Sequence, residues 1–387
     1  MEKVRLGDLC DQIRGVSYKP DDLHNDLNEN SIMLLRANNI KDDKINFEDV
    51  VFVDKSKVKD EQMLKSGDIL VCASSGSKDL VGKAAYINKD IQATFGAFCK
   101  VVRPNIETPK YIGHYFCSPT YRERISQVSA GVNINNIRNE HIDDLSVPYP
   151  PINIQNNIVE RLDKLTDLIN KRKQQLQKLD ELVKARFVEM FGDVHESKIY
   201  PYIALKKMTD VLSGGTPNRD NPNYWKNGTI PWVKTTELHN DMLFDTEEHI
   251  TDLGLNESSA KIVPQNTILI AMYGQGKTRG MTAYLCNAAA TNQACACIIP
   301  SKIINQRYLW QYLILSYDKL RDKAKGGNQP NLNSNIIKNF EILNPPIQLQ
   351  NQFATFVEQV DKSKSTIQTS LEKLELLKKA LMQEYFG

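Results

Sequence analysis

Residues 150–164 read PPINIQNNIVERLDK, and residues 345–359 read PPIQLQNQFATFVEQ. Both stretches begin with a Pro-Pro dipeptide and continue into an amphipathic run. Further segments match in the same order: VRLGDLCDQIRG (4–15) with IALKKMTDVLSG (203–214), 32–40 with 230–238, DILVCASSGSK (68–78) with TILIAMYGQGK (267–277), 84–87 with 282–285, and Phe-Gly at 191–192 with Phe-Gly at 386–387. The offset falls only from 199 to 195, so we predict two versions of one unit of nearly 195 residues.

Each repeat is predicted to have two parts. Before the Pro-Pro dipeptide, short runs of Ile, Leu and Val are bounded by Gly, Ser and Asn, which is typical of strands and turns. After it, Gly and Pro are absent for about 40 residues and apolar residues recur at spacings of four and three, which indicates a long helix. The predicted fold is therefore α+β with pseudo-twofold internal symmetry. Its parts are two globular domains at 1–150 and 193–345, followed by helices at 151–192 and 346–387.

The apolar stripes of the two predicted helices must be buried, because exposing a long apolar surface to water is unfavourable in free energy. An antiparallel coiled coil would cover both stripes and place the globular domains at opposite ends of a rod. The alternative is that each helix packs on its own domain as ordinary core. The predicted seam comprises Leu162, Leu165, Ile169, Leu176, Leu179, Val357, Val360, Ile367, Leu371 and Leu374, with charged residues interspersed at Arg172, Arg186, Lys364 and Lys378.

Composition narrows the class of protein. Of 387 residues, 25% are charged and 41% are hydrophobic, which fits a soluble globular chain with more than one core. The net charge of +2 indicates that any nucleic-acid site is local. Seven cysteines form no paired CxxC framework, so free thiols in a reducing cytoplasm are expected. No signal peptide or membrane-spanning run is recognisable, and we expect no membrane association.

The segment AMYGQGKT (271–278) reads as a Walker A loop with Ala in place of the first Gly. The following RGMTAYL is strand-like, no strand ending in Asp offers a magnesium ligand, and the other repeat reads CASSGSKD (72–79). The two loops share an apolar strand that opens into small or polar residues and a Lys. This pattern suits a loop that approaches a phosphate backbone or base edges, although a plain solvated turn has the same composition.

Catalytic motifs are hard to assemble from this sequence. The six histidines show neither HxxxH nor HExxH spacing, and His and Cys do not cluster as metal ligands. The NPPY or DPPY tetrapeptide of adenine methyltransferases is also absent. We therefore expect no catalytic residue and no metal site in this chain.

Polar loops before the Pro-Pro dipeptides are better candidates for binding. Residues 130–136 read AGVNINN and residues 326–331 read GGNQPN. Asn and Gln pair bidentately with adenine, while Arg and Lys prefer guanine. Asn and Gly are also the commonest turn residues, so a purely structural role is the alternative.

Together these strings resemble the specificity subunits of type I restriction-modification systems. The resemblance is carried by GDIL (67–70), YGQGKT (273–278), TNQ (291–293), GNQPNL (327–332) and the Pro-Pro boxes at 150–155 and 345–350. It extends over essentially the whole chain. The first repeat departs from the pattern, with SSGS at 74–77 and TFG at 94–96. Such differences imply that the two domains read different DNA sequences.

The resemblance implies a noncatalytic reader of double-stranded DNA in which each domain recognises one half of a bipartite target. Two methyltransferase subunits would clasp its helices, and motor-nuclease restriction subunits would be optional. S-adenosylmethionine, magnesium and ATP would then act on the partners, with no cofactor in this chain. The candidate DNA-binding residues are Arg36, Ser74, Ser75, Ser77, Lys78, Asn133, Asn135, Lys234, Tyr273, Gln275, Lys277, Thr278, Arg279, Asn292, Gln293, Asn328 and Gln329.

Two competing functions remain open at this point. A free-standing enzyme would use residues 271–278 as a nucleotide site. A coiled-coil scaffold would have no sequence preference on DNA.

Overall fold

The computed structural model describes residues 2–77, 80–130, 136–324 and 331–387. The chain divides into two compact units. The first unit comprises the residues up to Gln174 together with Gln368–Gly387, and the second unit comprises Gln175–Ile367. Each unit therefore contains one globular domain and a segment of each long helix.

The described residues contain two helices of 40 residues each, and both begin immediately after a Pro-Pro dipeptide. Proline is favoured at this boundary because it has no N–H to leave unsatisfied in the first turn. The first long helix ends at Phe191, and the following Gly192 has a φ of +78°, the left-handed conformation that terminates helices. The helices are α1 Pro109–Phe116, α2 Pro119–Ala130, α3 Asn139–Asp143, α4 Ile152–Phe191, α5 Asp252–Asn256, α6 Gln306–Leu315, α7 Tyr317–Asp322, α8 Ser334–Lys338 and α9 Ile347–Phe386.

The first unit has two four-stranded sheets. One has the order β2-β11-β8-β9 and the other β10-β4-β7-β3, while β1 pairs with β12 and β5 with β6. The strands are β1 Lys3–Arg5, β2 Cys10–Arg14, β3 Leu23–His24, β4 Ser31–Leu35, β5 Ile40–Lys41, β6 Lys44–Ile45, β7 Val51–Asp54, β8 Ile69–Cys72, β9 Ala84–Tyr86, β10 Ala93–Phe95, β11 Cys99–Pro104 and β12 Ser146–Pro148.

The second unit repeats this topology. Its strands are β13 Tyr202–Ala204, β14 Val211–Ser213, β15 Ile230–Val233, β16 Asp241–Leu243, β17 Glu248–Ile250, β18 Ile262–Val263, β19 Ile268–Ala271, β20 Thr282–Leu285, β21 Ala289–Thr291, β22 Cys295–Ile298 and β23 Glu341–Leu343. The order β14-β22-β19-β20 matches β2-β11-β8-β9, with β16 added at the edge, and the other sheet has the order β17-β15-β21-β18. The shared strand order confirms the predicted internal repeat.

The end of α9 is anchored in the core of the first unit. Phe386 is fully buried, with ring centroids 5.3 Å from Tyr111 and 5.9 Å from Tyr115 of α1. The Tyr111 hydroxyl donates to the Pro148 carbonyl at 2.7 Å. Leu162 of α4 belongs to the same cluster. The last turn of α9 and the first turns of α4 thus share one core with the sheet.

The end of α4 occupies the equivalent place in the second unit. The ring of Phe191 lies 5.1 Å from Tyr308 and 5.6 Å from Phe353. The Tyr308 hydroxyl donates to the Leu343 carbonyl at 2.8 Å, as Tyr111 does to Pro148. The phenylalanine of the Phe-Gly dipeptide is therefore a buried helix end in both repeats.

Segments of α4 and α9 also meet within each unit. In the first unit Lys173 forms an ion pair with Glu375 at 2.9 Å, and in the second Lys364 pairs with Asp180. The predicted seam is unevenly buried. Its buried members are Leu162, Leu165, Ile169, Val357, Val360 and Leu371. Its half-buried members are Leu176, Leu179, Ile367 and Leu374, together with the four charged positions Arg172, Arg186, Lys364 and Lys378.

All seven cysteines are unpaired thiols, as predicted. Burial raises the pKa of the Cys10 thiol to about 12, so it is protonated at neutral pH. Among the helices of the described residues, none is long and apolar enough to cross a membrane.

We expect Phe386→Ala to lower the free energy of unfolding by about 3–5 kcal/mol, because it removes a buried ring from a packed aromatic cluster. Leu376→Ala, on the same helix but 69% exposed, is the matched control and should change it by less than about 0.5 kcal/mol. Urea denaturation of both variants measures the difference. Equal effects would show that the end of α9 is not anchored in the core.

Candidate nucleic-acid interface

Three chain segments meet at one end of the sheet in the second unit. The loop after β19, the turn before β22 and the segment that leads into α8 are joined by backbone hydrogen bonds. The Met272 N–H donates to the Ala294 carbonyl at 2.8 Å, and the Leu332 N–H donates to the Met272 carbonyl at 3.0 Å. We call residues 272–281, 291–294 and 331–332 the second loop cluster.

The first unit has an equivalent arrangement. The N–H groups of Ala73 and Ser74 donate to the Phe98 carbonyl at 2.9 and 3.0 Å. The Ile137 N–H donates to the Ala73 carbonyl at 2.7 Å. Residues 73–77, 80–83, 96–98 and 136–137 form the first loop cluster. The two clusters share a backbone framework because adjacent antiparallel strands end together at this edge.

The loop that resembles a Walker A motif is a β-hairpin connection. Strands β19 and β20 pair antiparallel, with Ile268 opposite Tyr284. A phosphate-binding P-loop leads into a helix, whose N-terminus supplies the anion site. Here strand β20 follows, so residues 271–278 do not form a P-loop, and the structure gives no support to the alternative of a nucleotide site. Gly274 and Gly276 adopt φ values of +149° and +57°, which explains the need for glycine in this turn.

The hairpin loop is held from behind by α7. The Arg321 guanidinium donates to the carbonyls of Gly276 at 2.9 Å and Arg279 at 2.6 Å. The Tyr317 hydroxyl donates to the Lys277 carbonyl at 2.6 Å. Within the loop, these contacts involve only backbone carbonyl oxygens. The side chains of Gln275 and Lys277 are exposed. The backbone of the loop is thus held by α7, while its polar side chains are exposed to solvent.

Several predicted binding residues lie in the two loop clusters. The exposed ones are Ser77, Tyr273, Gln275, Lys277 and Gln293, and the half-buried ones are Ser74, Ser75, Thr278, Arg279 and Asn292.

Some of these side chains also support the local backbone. The Asn292 Oδ1 accepts from the Ala294 N–H at 3.1 Å, and the Ser75 Oγ accepts from the Ser77 N–H at 3.2 Å. Gln293 hydrogen-bonds to the Thr216 hydroxyl. Part of the predicted set therefore also has a structural role.

Arg36 and Lys234 occupy equivalent positions after β4 and β15, and carboxylates balance both charges. Arg36 lies 3.5 Å from Asp49. The Lys234 ammonium lies 2.9 Å from carboxylates of both Glu247 and Glu248, and hydrogen bonds to these groups raise its pKa. Neither cation is among the residues of the loop clusters. The predicted residues Lys78, Asn133, Asn135, Asn328 and Gln329 lie outside the described residues.

The structure adds features that sequence reasoning missed. Phe98 is 65% exposed on the first loop cluster, and the only signal for it was an apolar residue between Gly96 and a strand. In the second unit the Gly215 N–H donates to the Thr291 carbonyl at 2.8 Å. A Cβ at Gly214 would lie 2.1 Å from the Thr291 Oγ1, so glycine permits this approach to the second cluster.

A buried lysine adjoins the first loop cluster. The Lys100 Nζ donates to the Gln12 Oε1 at 2.9 Å and to the Asn139 Oδ1 at 2.8 Å. Desolvation lowers the pKa of Lys100 to about 8. The corresponding residue in the second unit is Ala296, so the two units differ in charge beneath similar loops.

No group of three or more His, Cys, Asp or Glu side chains in the described residues is placed to hold a metal ion. Both clusters offer hydrogen-bonding groups and one exposed aromatic side chain, Phe98 in the first and Tyr273 in the second, and the second cluster also offers the exposed Lys277.

Comparison with known families accounts for this duplicated arrangement. Residues 1–179 and 200–376 each match the type I restriction modification DNA specificity domain. The chain belongs to this family. Among curated relatives, it is 40% identical over 173 residues to the StySPI specificity subunit of Salmonella potsdam, which is 44% of this chain and 37% of that protein. It is also 40% identical over 188 residues to the EcoKI specificity subunit of Escherichia coli K12, covering 48% of this chain and 40% of that protein. The matched part thus spans about two fifths of these relatives' length.

Solved structures of type I systems share the fold. The S subunit from M. genitalium aligns over 100% of this chain and 96% of its own, with 15% identity and a TM-score of 0.58. A chain from a structure of type I R-M complex assembly and conformational transition aligns over 99% of this chain and 97% of its own, with 16% identity and a TM-score of 0.55.

We expect Arg321→Ala to speed hydrogen–deuterium exchange at Gly280, whose N–H donates to the Ala271 carbonyl at 2.9 Å within the hairpin. The variant loses hydrogen bonds from a charged donor, each contributing about 1.5 kcal/mol, so exchange should be at least about tenfold faster. Lys323→Ala, just beyond α7, is the control for loss of a nearby charge. Unchanged exchange in Arg321→Ala would show that α7 does not hold the loop.

Proposed function

We propose that this chain is the DNA-recognition subunit of a type I restriction-modification complex, and that each loop cluster reads one half of a bipartite target. The observation that carries the proposal is the pair of equivalent, exposed loop clusters in a chain of the specificity-domain family. The domains at 1–150 and 193–345 would then be the two target recognition domains.

Different side chains on one backbone framework support two different half-sites. The first cluster carries Ser74, Ser75 and Ser77 where the second carries Tyr273, Gly274 and Gly276. Hydroxyl groups hydrogen-bond to several base edges, while Lys and Gln have stronger preferences for guanine and adenine. The alternative of a scaffold without DNA specificity leaves this divergence without a role.

For the long helices we propose an antiparallel coiled coil that docks two methyltransferase subunits. The contacts of α4 with α9 inside each unit support the pairing. Apolar side chains exposed on the helices support the docking, because such residues favour protein contacts. They are Leu168, Leu182, Val188, Leu376 and Leu377.

In this proposal the chain has no catalytic role. The methyltransferase subunits would bind S-adenosylmethionine, and optional restriction subunits would use ATP and magnesium in the cytoplasm. This division of labour agrees with the lack of catalytic motifs in the sequence and with its small net charge, since partners can supply part of the phosphate-contacting surface.

Adenine methylation across the source genome tests the function. Deleting this gene should abolish methylation at one bipartite sequence, because its recognition subunit is lost.

Replacing residues 1–145 with the first domain of another family member should change only one half of that sequence. The purified chain alone should transfer no methyl group. Loss of both halves in the exchange, or methyl transfer by the chain alone, would contradict the proposal.

We expect Lys277→Ala to weaken DNA binding and to reduce the salt dependence of the affinity by about one unit of slope, because one phosphate contact is lost. Lys302→Ala is the control: Lys302 is exposed but follows the far end of β22. Affinity titrations of the assembled complex at several salt concentrations give both slopes. An unchanged slope in Lys277→Ala would rule out a phosphate contact at this residue.

Removing one heptad from each helix, residues 175–181 together with 370–376, keeps the apolar pattern in phase. It shortens each helix by roughly 10 Å at 1.5 Å per residue. We expect the preferred spacer between half-sites to shorten by about three base pairs, with unchanged half-site sequences. Methylation sequencing measures the spacer. Undiminished methylation at the original spacing would show that helix length does not set this distance.

A further inference from the structure

An exposed aromatic side chain stands on each loop cluster. Phe98 is 65% exposed and its carbonyl joins it to Ser74. In the second unit Tyr273 is 42% exposed. It follows Met272, whose N–H donates to the Ala294 carbonyl. Both side chains sit where the hairpin loop meets the turn before the next strand.

The two aromatic residues come from opposite segments. Cys99 pairs with Cys72, and Cys295 pairs with Ala271, so this register makes Phe98 equivalent to Ala294 and Ser74 equivalent to Tyr273. The first cluster thus has the pair Ser74 and Phe98, and the second has Tyr273 and Ala294. Each cluster therefore has one aromatic and one small residue. The aromatic residue precedes β11 in the first cluster, whereas it follows β19 in the second.

The chemistry of Phe98 points to an apolar contact. A phenylalanine ring has no polar atom, so its exposure is unfavourable until a ligand removes it from water. Bases of a duplex offer such contacts through the thymine methyl group and through their faces at an opened step. The neighbouring Ser74 and Ser75 supply hydroxyl groups for adjacent base edges.

We propose that Phe98 makes an apolar contact with a base of the first half-site, and that Tyr273 makes the corresponding contact in the second. The inference rests on the proposed function and names specificity-determining residues within it. DNA is favoured over a protein ligand because two identical partner subunits would meet the same surface in both units. Here the aromatic residue differs in type and in the segment that carries it, which suits two different half-sites.

The test uses the chain assembled with its methyltransferase subunits and the target duplex found by methylation sequencing. Phe98→Ala should lower affinity for that duplex about tenfold or more, the loss typical of removing an aromatic contact to a base. Assembly with the methyltransferase should be unchanged. Phe47→Ala, 49% exposed in the same unit but outside the cluster, is the matched control and should leave DNA affinity unchanged.

A rescue variant tests whether an aromatic residue at position 74 can replace the one at position 98. Adding Ser74→Tyr to Phe98→Ala moves the aromatic residue to the position used by the second unit, and should restore part of the affinity. A duplex carrying 2-aminopurine at successive positions of the first half-site reports the contact. Wild-type binding should change the fluorescence at one position, and Phe98→Ala should abolish that change.

The outcomes separate this inference from the proposed function. A wild-type complex that does not prefer its target over a scrambled duplex overturns both. A preference that survives Phe98→Ala at full affinity overturns this inference alone. Loss of methyltransferase assembly in Phe98→Ala would also overturn it, by identifying a protein contact instead.

Discussion

The burial of one phenylalanine at the end of each long helix is the contact on which the rest of the architecture depends. Phe386 packs on Tyr111 and Tyr115, and Phe191 packs on Tyr308 and Phe353. Each ring ties a helix end to the helices and strands of a globular domain. Residues 368–387 belong to the first unit, so the end of α9 contributes to its core.

That anchoring gives the two units the same scaffold. The strand order around β8 recurs around β19, and the same backbone hydrogen bonds gather three loops at one edge. Hydrogen bonds between main-chain groups depend little on side-chain identity, so the frame tolerates different residues at the tips. A chain of the DNA specificity-domain family can therefore present two chemically distinct surfaces on one fold.

The placement of these charged side chains agrees with the modest net charge of the chain. Arg36 and Lys234 are balanced by carboxylates, whereas Lys277 is exposed on a loop whose backbone α7 holds. Of these three positive charges, the one on Lys277 lies within a loop cluster. Such placement suits contacts that orient a duplex.

The sequence by itself determined the internal repeat, the strand-rich domains and the two long helices, because Pro-Pro starts, Phe-Gly ends and apolar periodicity are local signals. Only the tertiary structure decided that residues 271–278 lie at a hairpin connection held by α7, that carboxylates face Arg36 and Lys234, and that the Ser74 N–H donates to the Phe98 carbonyl. It also placed the end of α9 in the first unit. These features depend on contacts between residues far apart in the chain, which local periodicity does not encode.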